Sequence, residues 1–338
     1  MKISNFPTRE AWRLGVKAAD ELLSLFAKNY GRYPNRIGII LWGSEIQRTD
    51  GAGISLMSYL MGISPLWDQS GAVCGLAPLS SKNLNRPAID TCAVISGSLR
   101  DKYPDIISLL SDAVKLTANK QLSTNAEMPV DNSNTYRRIF GPAEGLFGTG
   151  IFRDLPELYK SNQQEIRNTF IRNMRYAYSP YPEIVPETTF QQILSSIDCI
   201  IQPFTSPGYG PLTLDHTFEF SAGLKASTAH THMSLPALFL IDFRRKNNVS
   251  VQYMLECIAM NMDDLTAPNG LFASLSKQSD ETIKKTRNIL VLVNAWANAL
   301  PGCISSEQIH RLNRCIRDNT FLNRELYELF NVLFSQWF

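Results

Sequence analysis

The sequence contains no cysteine pair with the C-x-x-C spacing of a zinc or redox motif. Its six cysteines stand well apart, at positions 74, 92, 199, 257, 303 and 315. This spacing indicates neither a structural zinc site nor a disulfide framework. Free thiols are typical of a reducing compartment, so we expect a cytoplasmic protein.

Large net charge and long apolar runs are also missing. The 338 residues carry a net charge of +2, and no basic block of lysines and arginines is found. We therefore expect no nucleic-acid partner. Residues 1–15 are polar and mixed in charge, unlike a signal peptide. The longest apolar run ends at Asp242 and is too short for a bilayer, so we expect no membrane span.

Short apolar runs alternate with helical patterns in the first third of the chain. Arg36–Trp42 and Thr91–Ser96 are almost continuously apolar, rich in β-branched residues and followed by a glycine. Such runs are typical of strands buried in a parallel sheet. Apolar residues recur at helical spacing over 8–29, 52–61 and 106–116. The pattern predicts an α/β fold, with a Rossmann-like parallel layer in the N-terminal part.

A polar stretch at residues 119–134 separates this region from a second one. A glycine-rich segment, Gly141–Gly150, comes next, and mostly helical patterns follow it. We therefore predict an α/β domain over residues 1–120 and a mainly helical domain over residues 135–338, with the glycine-rich segment at its entry.

The glycine-rich segment does not have the composition of a nucleotide-binding loop. It lacks the Lys-Ser/Thr pair of a Walker A motif and the G-x-G-x-x-G order of a dinucleotide fingerprint. We predict that this chain binds no nucleotide. Glycine at these positions favours tight turns or a close approach of the backbone to another group.

Histidine is scarce, and two of the four histidines form a His-Thr-His pair. On a strand, His230 and His232 would point to the same side and could ligate one metal ion. No third ligand stands near them in sequence, so a surface or structural role is the competing interpretation. Farther upstream, Asp215 and His216 are adjacent, and His216 is a candidate general base.

Eight stretches, in the same order, resemble the C-terminal region of the cobaltochelatase large subunit and of its relative, the magnesium-chelatase H subunit. The six clearest are Tyr33–Gly43, Arg48–Gly51, Met61–Asp68, Asn85–Asp90, Ser96–Pro104 and Arg138–Gly150. Weaker matches occur at Arg175–Tyr178 and Phe218–Leu224. Large subunits of this family are several times longer, so the resemblance implies a partial or split subunit without the porphyrin-binding N-terminal regions.

The resemblance also implies a substrate, partners and a site. It implies a tetrapyrrole and a divalent metal, cobalt or magnesium, with an N-terminal chelatase fragment and ATPase motor subunits as partners. The implied catalytic residues are Asp215, His216, Arg100 and Asp101. The residues expected to contact the tetrapyrrole are Trp42, Arg48, Phe147 and Gly148. His230 and His232 are the candidate metal ligands.

Several polar positions of the family motifs are replaced in this sequence. The replacements are Ala52, Ala88 and Phe147. Ala222 stands where the family has the first glycine of a Gly-Gly pair, whereas the other glycines, the prolines and the strand cores persist. This pattern leaves open an alternative, a tetrapyrrole-binding or scaffolding module that has kept the fold and lost the metal chemistry. Whether the chain is an enzyme is therefore not decided by its sequence.

Overall fold

The structure is a computed structural model. It describes residues 4–124, 132–155, 162–208, 210–228, 236–245, 249–272, 280–318 and 324–338. Within them, no helix is both long enough and apolar enough to cross a bilayer.

The strands form one large sheet and one small hairpin. They are β1 (Arg36–Leu41), β2 (Ile63–Trp67), β3 (Val73–Pro78), β4 (Asp90–Ile95), β5 (Ile139–Gly141), β6 (Tyr176–Ala177), β7 (Glu183–Ile184), β8 (Cys199–Phe204), β9 (Ala237–Asp242) and β10 (Ser250–Tyr253). The large sheet has the order β10-β9-β8-β1-β4-β5-β6-β7, and β2 pairs with β3 alone. Strands β9, β8, β1, β4 and β5 are parallel, whereas β10, β6 and β7 are antiparallel to their neighbours.

Helices cover both faces of the large sheet. They are α1 (Arg9–Tyr30), α2 (Gly43–Thr49), α3 (Ala52–Leu60), α4 (Ser81–Leu84), α5 (Gly97–Lys102), α6 (Pro104–Thr124), α7 (Asn132–Tyr136), α8 (Ile151–Asp154), α9 (Gln163–Met174), α10 (Glu187–Ser195), α11 (Asp215–Ser227), α12 (Met254–Thr266), α13 (Asp280–Ala299), α14 (Ser306–Asp318) and α15 (Arg324–Phe334), with a final 3₁₀ turn at Ser335–Trp337.

The central strands are buried on both faces, and their side chains alternate between two hydrophobic cores. In β1, Ile39 packs with α1, α3 and α6, whereas its neighbour Ile40 packs with α9, α10 and α11. In β4, Ala93 and Val94 divide in the same way. This period of two in a continuously apolar run explains why the sequence pattern identified buried parallel strands.

At their amino ends, three neighbouring strands are joined by one carboxylate. Asp90 at the start of β4 accepts from Arg36 of β1 at 2.8 Å and from Arg138, next to β5, at 2.8 Å. The two guanidinium groups hold the pKa of Asp90 below its usual value, although burial acts in the opposite direction. The amino edge of the sheet is thus closed by ion pairs, and the opposite edge is left for a site.

The predicted fold class is confirmed: the sheet is mainly parallel, and α12–α15 form a helical C-terminal region. The sheet nevertheless draws β8 and β9 from beyond residue 135 and pairs β8 with β1. Strands on both sides of the predicted boundary are therefore neighbours, and the division at residues 120–135 stays a prediction. The predicted linker begins inside α6, which continues to Thr124.

Candidate active site

At the carboxyl edge of the sheet the strand order reverses between β1 and β8, and we call the place where these two strands end the crevice. From β1 the chain moves to β4 and β5 on one side, whereas β8 and β9 lie on the other side of β1. The connections that leave β1 and β8 therefore diverge, and such a switch point is where open α/β sheets bind ligands. Here the segment after β1 carries Trp42 and the segment after β8 carries Thr205 and Ser206.

Arg48 connects the two sides of this crevice. It lies on α2, and its Nη1 donates to the hydroxyl oxygens of Thr205, at 3.3 Å, and of Ser206, at 3.2 Å. These partners are neutral, and Arg48 is exposed to solvent. The guanidinium group therefore keeps the charge with which it can bind an anionic ligand.

Trp42 and His216 meet at the opening of the crevice. Their ring centroids are 6.4 Å apart, and the Trp42 ring is 5.8 Å from that of Phe220. The Trp42 indole Nε1 is buried and has no hydrogen-bond partner among the described residues. His216 is on the first turn of α11, with 63% of its side chain exposed. The predicted residues Trp42 and His216 are thus brought together.

A buried carboxylate lies behind His216. Glu219 is 6% exposed, and its Oε2 is 3.1 Å from His216 Nδ1, since residues three apart share one face of a helix. This hydrogen bond raises the pKa of His216 above its ordinary value, although partial desolvation of the ring acts in the opposite direction. Asp215 is more distant, with Oδ1 3.9 Å from Nδ1.

The glycine-rich segment contacts both the first residue of α5 and this pair. The backbone N–H of Gly97 donates to the carbonyl of Phe147 at 2.9 Å, and a Cβ on Gly148 would lie 3.4 Å from Glu219 Oε2. Phe147 itself is 69% exposed. The structure therefore places Gly148 at the His216–Glu219 pair and leaves the Phe147 ring available to a ligand.

Arg100 and Asp101 occupy a different place. Arg100 is 9% exposed, and it donates to the carbonyls of Pro142 at 2.9 Å and Leu146 at 3.3 Å. Its Nε donates to Asp101 at 2.6 Å, and this ion pair raises the pKa of Arg100 and lowers that of Asp101. Each nitrogen of the guanidinium group has a protein acceptor. Arg100 thus holds the glycine-rich segment in place through hydrogen bonds to its carbonyl groups.

Arg100 and Asp101 line a separate cleft of about 640 Å³, together with Glu144 and Tyr178. In the part of the chain that the structure describes, no hydrogen bond connects them to His216 or Trp42. Two of the four predicted catalytic residues, Asp215 and His216, therefore adjoin the crevice and two do not.

The metal prediction falls outside the described residues, since His230 and His232 lie in the segment 229–235. Among the residues that are described, no three side chains of His, Cys, Asp or Glu are arranged to hold a metal ion.

Sequence reasoning missed Glu219 and its partner Thr149. The available signal was the spacing of three between His216 and Glu219, since Glu219 lies in a stretch that matches the family weakly. The contact to Thr149 left no signal, because 70 residues separate the two positions.

The comparisons with known proteins agree with the motifs. The family model described as CobN/Magnesium Chelatase matches residues 1–264, and the chain belongs to this family. The aerobic cobaltochelatase subunit CobN of Sinorhizobium sp is 25% identical over 74% of this chain and 21% of its own length. The magnesium-chelatase H subunit of Rhodobacter capsulatus is 23% identical over 86% of this chain and 25% of its own length.

A solved structure has the same fold. The catalytic subunit of cobaltochelatase from Mycobacterium tuberculosis superposes with a TM-score of 0.88 at 20% identity, covering 98% of this chain and 30% of that one. The fold likeness thus extends over the C-terminal helices, beyond the family match. The chain spans about a fifth to a quarter of the length of the two curated relatives named above.

Proposed function

We propose that this chain acts in the insertion of a divalent metal, cobalt or magnesium, into a tetrapyrrole, as a partial or split chelatase large subunit. The observation that carries the proposal is the His216–Glu219 pair beside Trp42 in the switch-point crevice of a chain that belongs to the chelatase family. Metal and macrocycle are both substrates in this reaction.

The chemistry of insertion needs a group that accepts the pyrrole N–H protons. His216 supplies an imidazole with a raised pKa, and the buried Glu219 carboxylate stabilises the imidazolium ion that forms. Because the His216 side chain is exposed, a bound macrocycle can reach the imidazole ring.

Other residues of the crevice match the remaining parts of a tetrapyrrole. Trp42 and the exposed Phe147 present aromatic surface to a flat conjugated ring. Arg48 presents a guanidinium group to a peripheral carboxylate. We assign these residues to binding and His216 to proton transfer.

The partners are proposed from the family. The chain spans only part of its relatives, so we propose that an N-terminal chelatase fragment holds the other side of the macrocycle and that ATPase motor subunits drive the cycle. We propose the cytoplasm as its compartment, on the strength of six free cysteines.

A second candidate is a tetrapyrrole-binding module without metal chemistry. It is favoured by Ala52, which replaces an acidic residue of the family motif and is buried. It is also favoured by Arg100, whose donors are occupied by protein carbonyls and Asp101. This candidate shares the binding residues of the first one and differs only in the role of His216.

The experiment is a titration of the purified chain with free-base deuteroporphyrin, alone and with the N-terminal region of a CobN relative. We expect a saturable Soret shift and quenching of tryptophan fluorescence. The absence of both signals, with and without the N-terminal region, contradicts the proposal.

His216→Ala separates the two candidates. In a reconstituted insertion assay, the metal-inserting role predicts loss of turnover with binding retained. Asp215→Ala, which removes the neighbouring exposed carboxylate, is the matched variant. Full insertion by His216→Ala at wild-type stability favours the module without metal chemistry.

A further inference from the structure

Both carboxylate oxygens of Glu219 are occupied by protein groups. Oε1 accepts from the Thr149 hydroxyl at 3.2 Å and from the Phe152 backbone N–H at 3.3 Å. Oε2 contacts His216 Nδ1 at 3.1 Å. Glu219 is 6% exposed and Thr149 is fully buried, so the carboxylate itself is largely shielded from bulk water.

We propose that Glu219 is a positioning residue that holds the neutral His216 ring with its proton on Nδ1, so that Nε2 is the nitrogen left to accept a proton in the crevice. An ionised carboxylate only accepts hydrogen bonds, so Nδ1 has to be the donor of this pair. A histidine side chain free in water favours the proton on Nε2, and the contact with Glu219 reverses that preference.

The other groups that face His216 do not fix its tautomer. Asp215 contributes negative charge, but its Oδ1 accepts the backbone N–H of His216 at 2.7 Å and is 3.9 Å from the ring nitrogen. The Trp42 indole is T-shaped to the His216 ring and offers no acceptor. Arg153, on α8, is near enough to Glu219 for the two opposite charges to attract each other, but it makes no hydrogen bond to the ring among the described residues.

The surroundings of Oε1 predict the effect of Glu219→Gln. The Phe152 N–H can only donate, so it selects the carbonyl oxygen of the glutamine amide on that side. The amide NH₂ group then faces His216 Nδ1, which must become an acceptor. The substitution therefore moves the ring proton to Nε2, removes the acceptor from the crevice and lowers the pKa of His216.

The test is NMR of the full chain with isotope-labelled histidine, in which the ring nitrogen shifts report tautomer and pKa. The chain has four histidines, and a His216→Asn variant assigns the signal. We expect the neutral wild-type ring to carry its proton on Nδ1. Glu219→Gln should move that proton to Nε2 and lower the measured pKa. Asp215→Asn, which removes the same charge from an exposed neighbour, should leave the tautomer unchanged.

A wild-type ring protonated on Nε2 overturns the proposal without any variant, so the test does not depend on how Glu219→Gln folds. An unchanged tautomer in folded Glu219→Gln, or the same change in Asp215→Asn, also overturns it. The inference rests on the proposed role of His216, but its readout needs no tetrapyrrole. The expected tautomer together with no porphyrin binding would support the positioning role and contradict the proposed function.

Discussion

The amide nitrogen of Gly97 donates to the carbonyl oxygen of Phe147 at 2.9 Å, and this contact leaves no room for a side chain at Gly97. A Cβ at that position would lie 2.1 Å from the carbonyl oxygen of Leu146. The first residue of α5 and the glycine-rich segment are thus in direct backbone contact. Because Gly148 adjoins Glu219, this contact holds the glycine-rich segment beside the His216–Glu219 pair.

Gly97→Ala should therefore destabilise the protein by about 1–3 kcal/mol, since backbone rather than a flexible side chain has to move. Chemical denaturation measures the change. Gly75→Ala is the control, because a Cβ there meets only the Leu66 side chain at 3.4 Å or more, and it should change stability by less than about 0.5 kcal/mol. Equal effects of the two substitutions would show that the close approach is not what matters.

Asp90→Asn should destabilise the amino edge of the sheet. It removes the charge that faces two arginines, but 26% of the Asp90 side chain is exposed, so we expect about 2–3 kcal/mol rather than the larger cost of a fully buried pair. The control is Asp112→Asn. Asp112 pairs with Lys115, and 50% of the Asp112 side chain is exposed. This substitution should lower the free energy of unfolding by less than about 1 kcal/mol.

The contribution of Asp90 should also depend on pH in a specific direction. Its pKa is lower in the folded chain than in the unfolded one, so its stabilisation is present above the unfolded value, near 4, and is lost as the pH falls through the folded value. Thermal unfolding between about pH 2 and 6 should show the Asp90→Asn difference shrinking in acid. A difference that stays constant across this range contradicts the ion-pair explanation.

Glu45 should give the opposite dependence. Burial raises the pKa of this carboxyl from 4.5 to about 7, although hydrogen bonds from the Thr49 side chain and the Gly53 backbone act against the shift. The folded chain keeps this proton up to a higher pH than the unfolded chain does. The contribution of Glu45 to stability is therefore complete below pH 4.5 and is lost as the pH rises to about 7.

Glu45→Gln should remove this decline, which we expect to amount to about 3 kcal/mol between the two values. Urea denaturation at several pH values measures it. The control is Glu10→Gln, a 61% exposed carboxylate on α1, which should leave the pH profile as in the wild type. A Glu45→Gln profile parallel to that of the wild type would show that Glu45 is already ionised in the folded chain.

Arg48→Gln should weaken porphyrin binding, because it removes the charged donor that we assign to a peripheral carboxylate. We expect a loss of about 1–2 kcal/mol, or roughly a 5- to 30-fold rise in Kd. Arg13→Gln removes an exposed arginine of α1 and should leave Kd within about twofold of the wild type. Equal losses would assign the effect to overall charge rather than to Arg48.

Much of the fold could be predicted from local pattern. The runs ending at Trp42 and Ser96 had to be strands, because β-branched residues facing two cores leave no polar face for water. The long helix α1 was visible for a related reason, since its apolar residues recur on one side. The motif order was sufficient to identify the family, although the last motif that resembles it ends at Leu224.

The site was predictable only in part. Trp42 and Arg48 follow a predicted strand, so the chain order alone places them at the carboxyl edge of a parallel sheet. That a switch point lies at this place depends on the pairing of β8 with β1. Arg100 has the corresponding position after β4, the neighbour of β1 in the sheet. There the glycine-rich segment packs against α5, and its carbonyls accept the hydrogen bonds of the guanidinium group.

The sequence by itself determined the α/β class, the buried central strands and the chelatase family, because these depend on residue type and order along the chain. Only the tertiary structure decided that β8 pairs with β1, that Arg100 faces protein rather than the crevice, and that Glu219 connects His216 to Thr149. Each of those relationships joins residues far apart in sequence. Local propensity carries no information about such contacts, since they form only when the sheet brings distant segments to one edge.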